Sequence, residues 1–261
     1  MKTRVISGLV MIPLLAVVYF GGYWLIGAAF LIGLVGIREF FNGFRTMDIH
    51  PSDQIAYVGL FALYAINFIW PGQTEYYMVW FAAVIVASSL YMFKINERKI
   101  EDAMATMLGT IYVAFFSFHI VLVDQTEEYS ILIWLVIITA FCTDIMAYFS
   151  GYLLGKHKLC PTLSPKKTIE GAIGGTMGSI VFAGLFGYFI VPRLLVHCLI
   201  IGFIGSIISQ CGDLTASAYK RKMGIKDYGD LIPGHGGIMD RFDSVLFTAP
   251  LVYYYIVLVL M

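Results

Sequence analysis

The chain has 261 residues, of which 59% are hydrophobic and 13% charged, and its mean hydropathy is +0.82. Soluble domains run at roughly 45–50% apolar and 25% charged, so no aqueous core could bury this much apolar surface and a water-soluble globule is excluded. The 17 basic and 17 acidic residues cancel to a formal net charge of zero, so the placement of the charges carries the information and their sum does not.

The apolar residues fall into runs that approach or exceed the ~20 residues a helix needs to cross ~30 Å of hydrocarbon at ~1.5 Å per residue. Nine spans are predicted, at 5–21, 23–44, 54–70, 76–93, 102–123, 129–155, 169–191, 194–219 and 242–261. The expected fold is therefore all-α, a polytopic transmembrane helical bundle of about nine helices. The first run follows Met1-Lys2-Thr3-Arg4 in the manner of a secretory signal. It leads straight into the next apolar run with no small-residue cleavage site, and is read as a helix.

With the N-terminus cytoplasmic and the C-terminus outside, 16 of the 17 Lys and Arg residues lie in inner segments and only Arg193 lies opposite, as the positive-inside rule requires. One missed or invented span would scramble the later loops. The short outer loops carry Glu75, Asp124, Glu127 and Glu128. Cys142, Cys198 and Cys211 fall in apolar spans and Cys160 in an inner loop, without metal-ligand spacing, so free thiols are expected.

Residues 1–123 read as scaffold helices, because their charges sit mainly in inner loops. Residues 124–261 continue the same membrane domain and hold the chemistry: polar, Gly-rich and basic residues collect at the inner ends of the last four spans. The sixth span contains Thr143-Asp144, followed by Gly151, Gly155-Lys156 and Ser164-Pro165-Lys166-Lys167-Thr168-Ile169-Glu170-Gly171. A carboxylate about three turns inside an apolar helix costs a few kcal/mol unless it faces a polar cavity or a partner, which makes Asp144 a functional candidate. An interhelical hydrogen bond or ion pair is the alternative.

The inner loop 156–168 holds Lys156, Lys158, Lys166 and Lys167 with no acidic residue, and it ends at the start of the seventh helix. Free backbone N–H groups and a partial positive charge at that helix start make Ser164 to Gly171 a candidate anion site. Positive-inside bias alone accounts for Lys156 and Lys158 as well. Gly171, Gly174, Gly175 and Gly178 sit at spacings that suit close helix packing.

A second cluster runs from Gly212-Asp213 through Ser217, Lys220-Arg221 and Lys226-Asp227 to Gly234-His235-Gly236-Gly237 and Asp240-Arg241-Phe242-Asp243. Asp213 precedes Lys220 by seven residues, roughly 10 Å along a helix, which puts it near headgroup depth. The glycines around His235 allow backbone to approach a ligand, and Asp240 and Asp243 can share a helical face. Carboxylates beside phosphate-binding cations are what Mg²⁺ needs when substrate phosphates complete its shell. Capping of the last helix by Asp240 is the structural alternative.

These segments resemble the phosphatidate cytidylyltransferase family, also called CDP-diacylglycerol synthases. Ser217, Lys220-Arg221, Lys226-Asp227, Gly229, Ile232-Pro233, His235-Gly236-Gly237 and Asp240-Arg241-Phe242-Asp243 fit that family's C-terminal signature at its spacing, with Tyr219 departing from its aliphatic or Phe position. Asp144, Ala147-Tyr148, Gly151, Gly155-Lys156 and Ser164 to Gly171 are similar to its upstream segment, so specific likeness covers about residues 143–243. The resemblance implies a Mg²⁺-dependent enzyme, with or without a second cation. It would act as a homodimer among membrane lipids and convert CTP and phosphatidate to CDP-diacylglycerol and pyrophosphate. By matching position, Asp213 and Asp240 would carry the metal.

Expected catalytic groups are then Asp213, Asp240, Lys167 and Arg241. Expected substrate contacts are Asp144, Ser164, Lys166, Lys167, Thr168, Glu170, Ser217, Lys220, Arg221, Lys226, His235, Gly236, Gly237 and Asp243. Because both reactants are phosphates, their repulsion must be screened by cations before in-line attack, and the sequence collects basic residues on one side. Two alternatives use the same features: a CTP-dependent lipid-alcohol kinase, and an ion- or proton-coupled transporter using Asp144, Glu170 and Asp213. The compact chain points to a bacterial plasma membrane with the active site at the cytoplasmic face. No nucleic-acid partner is expected.

Overall fold

The computed structural model describes residues 13, 15–231 and 236–261. Most of the first predicted span lies outside the described residues, as does His235 of the glycine-rich loop. Eight helices follow: α1 Gly22–Arg45, α2 Asp53–Ile69, α3 Glu75–Phe93, α4 Ile100–Asp124, α5 Glu127–Leu154, α6 Ile169–Phe189, α7 Pro192–Met223 and α8 Met239–Leu260. Seven of them are long and apolar enough to cross a membrane, and α2 is a shorter apolar helix. Each predicted span from the second to the ninth coincides with one of these helices within a few residues. The chain is an all-α membrane bundle.

Local chemistry sets the helix ends. Ser52 accepts a hydrogen bond from the Ile55 N–H (3.3 Å) at the start of α2, and Thr168 accepts one from the Gly171 N–H (3.1 Å) at the start of α6. Each satisfies a backbone donor that a helix start leaves orphaned. The C-terminus of α7 is followed by Gly224 at φ +69°, the left-handed conformation that ends helices at low cost only for glycine.

The chain forms two compact units. One unit runs to Phe118 and takes in Lys222–Arg241. Its core is built on α1, where Ile37, Phe40 and Phe41 are fully buried. Thr46 Oγ1 donates to the Met223 carbonyl (2.6 Å), and Phe40 packs on Tyr228 with ring centroids 5.8 Å apart.

The other unit comprises His119–Arg221 and Phe242–Met261. Helix α5 carries a π-helical turn at Ile138–Cys142 just before Thr143-Asp144, a distortion that often accompanies functional sites. The Val136 carbonyl next to it accepts from Thr139 Oγ1 (3.2 Å) and Thr248 Oγ1 (3.3 Å). Helices α5 and α6 approach backbone to backbone. A Cβ on Gly171 would stand 2.9 Å from the Ala147 carbonyl oxygen, and one on Gly175 would stand 2.8 Å from that of Thr143. These glycines serve close packing.

The segment 156–168 is more ordered than a loop. Strands β1 Lys158–Cys160 and β2 Ser164–Thr168 pair antiparallel, with Lys158 opposite Thr168 and Cys160 opposite Ser164. Pro165 is tolerated because a two-stranded ribbon has only edge strands. The ribbon turns the chain back so that β2 runs directly into α6.

Candidate active site

Within the second unit the charged residues converge on α7. Lys167 Nζ forms an ion pair with Asp213 Oδ2, and the two side chains are 28% and 26% exposed. Position along β2 distinguishes Lys167 from Lys166. Along β2 exposure falls toward α6: Pro165 and Lys166 are exposed, Lys167 is half-buried and Thr168 is buried. Ser217 Oγ lies one turn along α7 and donates to Asp213 Oδ1 at 3.4 Å. The Arg221 Nε donates to the Leu163 carbonyl (3.2 Å), which fixes the tip of the ribbon to the end of α7.

Two further carboxylates share this electrostatic environment. Asp243 is 8% exposed, accepts from its own helix at the Ser244 N–H (2.7 Å), and interacts electrostatically with Asp213, Asp144 and Lys220. Gly212 allows the approach, since a Cβ there would stand 2.8 Å from the Asp243 carbonyl oxygen. Asp243 thus shares its surroundings with Asp213, Asp144 and Lys220, and Asp213 is paired in addition with Lys167.

Among the described residues no group of three or more His, Cys, Asp or Glu side chains is close enough to cage a metal by itself. Carboxylate oxygens with substrate phosphates to complete the shell suit a hard divalent cation. The residues present therefore fit such an ion as a partner shared with substrate.

Glu170 does not point toward this cluster. Its Oε1 meets His157 Nδ1 at 2.6 Å and its Oε2 accepts the N–H groups of Lys156 (3.1 Å) and His157 (3.2 Å). It closes the base of the ribbon. Thr168 is committed to capping α6, so one of the N–H groups offered by that helix start is satisfied from within.

An apolar groove of about 510 Å³ runs beside the cluster, lined by Ile173 and Met177 of α6 and by Phe203, Ile207, Cys211 and Leu214 of α7. Gln210 also borders it, with its amide donating to Thr176 Oγ1 (3.1 Å) and the Ala172 carbonyl (3.3 Å). Cys211 and Leu214 flank Asp213 along α7. One helix, α7, thus carries both Asp213 and part of the apolar wall.

In the first unit, Asp240 is 8% exposed and its Oδ2 accepts the N–H groups of Tyr228 (2.8 Å) and Gly237 (3.0 Å). Gly236 (φ +81°) allows this turn, and a Cβ on it would stand 2.7 Å from Asp240 Oδ2. Lys226 is exposed and Arg241 half-buried. One partner in this unit is not singled out by sequence: Glu39 of α1, 7% exposed, accepts from the Ile238 and Met239 N–H groups. The available signal was a carboxylate within an apolar span, next to Arg38.

Residues 2–259 match the Cytidylyltransferase family. The chain is 33% identical over 259 residues to a phosphatidate cytidylyltransferase of Staphylococcus haemolyticus, covering 95% of each chain. It is 30% identical over 272 residues to one of Bacillus subtilis, covering 99% of this chain and 98% of the relative. One of Synechocystis is 32% identical over 286 residues, covering 98% and 97%.

Proposed function

The chain belongs to the cytidylyltransferase family, and from that membership we propose that it is the nucleotidyltransferase that joins CTP to phosphatidate, giving CDP-diacylglycerol and pyrophosphate in phospholipid biosynthesis. The observation that carries this reading is the Lys167–Asp213 pair beside the apolar groove of α6 and α7. It offers charge for phosphates and an apolar wall for acyl chains within one unit.

A phosphate oxygen of phosphatidate attacks the α-phosphorus of CTP, and the bond to the β,γ-diphosphate breaks. The lipid monoester has a second pKa of about 6, so it is already a dianion near neutral pH and needs no strong general base. Repulsion between the two anions is the main obstacle. Lys167, Lys220, Arg221, Lys226 and Arg241 hold the phosphates and stabilise the departing pyrophosphate. Asp144, Ser164, Lys166, Ser217, Gly236, Gly237 and Asp243, together with His235, border the substrates. Thr168 and Glu170 keep β2 in place behind Lys167.

The family uses a divalent cation, and Mg²⁺ is the ion proposed here. Asp213 and Asp240 are its proposed protein ligands, each assigned from its position in the signature sequence. Such an ion, when bound, screens phosphate charge and orients the oxygens around phosphorus. Residues 1–123 serve as scaffold and 124–261 carry the chemistry, in a homodimer of the bacterial plasma membrane whose active site faces the cytoplasm. The excess of basic residues in the predicted inner segments supports that sidedness.

The test is pyrophosphate release by the purified protein with Mg²⁺ and CTP, with and without phosphatidate, while label from α-³²P CTP is followed into lipid. Phosphatidate-dependent pyrophosphate with labelled lipid is expected. CDP as the nucleotide product, with no label in lipid, would instead mark a lipid kinase.

A further inference from the structure

Glu39, the one carboxylate of α1, is 7% exposed, and the groups that meet its carboxylate lie 190 or more residues further along the chain, at Gly229 and at Gly237 to Met239. Oε1 accepts the Ile238 N–H at 3.1 Å and Oε2 accepts the Met239 N–H at 2.9 Å. Both donors belong to the start of α8, where backbone N–H groups have no intrahelical partner and the helix dipole favours negative charge. The carboxylate is also clasped by glycine backbone. A Cβ on Gly229 would stand 2.6 Å from Oε1, and a Cβ on Gly237 would overlap the carboxylate. Gly237 in turn donates its N–H to Asp240 Oδ2. One carboxylate thus holds the two amides and two glycines that frame Asp240.

We propose that Glu39 is a positioning residue for cytidylyl transfer: by bridging the first amides of α8 it sets where Asp240 stands, and so how well the enzyme takes up its divalent cation. The inference rests on the reading of Asp240 as a cation ligand. The chemistry requires a carboxylate. Here each N–H meets its own oxygen, and an amide offers one oxygen while turning an NH₂ donor toward the other N–H. Aspartate is one methylene too short to reach both. A purely structural cap would tolerate some loosening. A group that sets Asp240 would not, because ligands must be held within about 0.5 Å for a site to work.

The test uses full-length protein in detergent and the variants Glu39→Gln, Asp240→Asn and the double mutant. Hydrogen exchange of the peptide covering Ile238 and Met239 should accelerate about tenfold or more in Glu39→Gln, since a charge-assisted bond is lost. Half-saturating Mg²⁺ should rise by a similar factor, while the CTP KM at saturating Mg²⁺ stays within about threefold. In the double mutant the Mg²⁺ effect should be less than the two single effects combined, because both act on one group. Mn²⁺ binding followed by electron paramagnetic resonance reads the same shift without turnover.

Unchanged exchange at Ile238 and Met239, or a wild-type Mg²⁺ profile in Glu39→Gln, would overturn the inference. A shift in Asp240→Asn without one in Glu39→Gln would overturn it while leaving the reading of Asp240 intact. A wild-type profile in Asp240→Asn would sink that reading itself. If Glu39→Gln does not accumulate as folded protein, Gly229→Ala carries the same comparison. Its methyl group displaces Glu39 Oε1 and leaves the charge unchanged, so the same shift in Mg²⁺ dependence is expected and a wild-type profile overturns the inference.

Discussion

Lys167 of strand β2 and Asp213 of helix α7, 46 residues apart in sequence, form an ion pair. About a quarter of each side chain remains exposed, so neither is locked in a dry interior where breaking a pair is strongly costly. Each can exchange its partner for a ligand of the same sign: Lys167 for a phosphate, Asp213 for a cation.

Asp213→Asn is expected to lower kcat by about 10²–10³, the order seen when one pre-organised electrostatic group is removed. Phosphatidate-dependent pyrophosphate release, on protein shown to be folded by its elution profile, checks this. Turnover near wild type would remove Asp213 from the cation site.

Lys167→Ala should be far more damaging than Lys166→Ala, since β2 turns only Lys167 toward Asp213. The expected loss in kcat/KM is about 10–100-fold for Lys167→Ala, the value of one or two charge-assisted hydrogen bonds. For Lys166→Ala it is several-fold at most, from weaker long-range attraction. Equal effects would argue that the lysines act only as diffuse charge.

Thr168→Ala should lower stability by about 1 kcal/mol through loss of the α6 cap, with Thr168→Ser close to neutral. Thermal unfolding in detergent measures the difference. Because the capped turn follows β2 directly, turnover should fall in the alanine variant as well.

Gly175→Ala places a methyl 2.8 Å from the Thr143 carbonyl oxygen and 3.0 Å from the Ala147 Cβ. Backbone cannot yield as a flexible side chain would, so a destabilisation of about 1–3 kcal/mol is expected. A melting temperature unchanged from wild type would show that α5 and α6 separate more easily than their spacing indicates.

Chelation should abolish turnover reversibly, and added Mg²⁺ should restore it. With only carboxylates and phosphates as donors, Mn²⁺ should substitute and soft thiophilic ions should not. Full activity in excess chelator would contradict the cation assignment.

The membrane helices are legible in the sequence because length and apolarity decide them locally. From α1 to α8 each helix matches a predicted span to within a few residues. Asp213 and Lys167 each stand out by type and setting, but their pairing does not, since it depends on a ribbon too short to announce itself. Ser164-Pro165-Lys166-Lys167-Thr168 has a proline, two adjacent lysines and no apolar alternation, so pattern reading sees a loop. Glu39 escapes for another reason. Its partners Ile238 and Met239 contribute backbone N–H groups, which every sequence possesses and which no side-chain motif can flag.

The separation between Glu39 and Met239 is 200 residues, and it has a consequence for biosynthesis. At about 5–20 residues per second a ribosome needs roughly 10–40 s to make that stretch. Until Ile238 and Met239 are made, the carboxyl group of α1 lacks the two backbone donors that hold it in the finished protein. The nascent protein must carry this group protonated, hydrated at the translocon, or shielded by another chain. Membrane insertases and quality-control proteases would therefore meet a half-made protein whose N-terminal part is complete in sequence and still unfinished in chemistry.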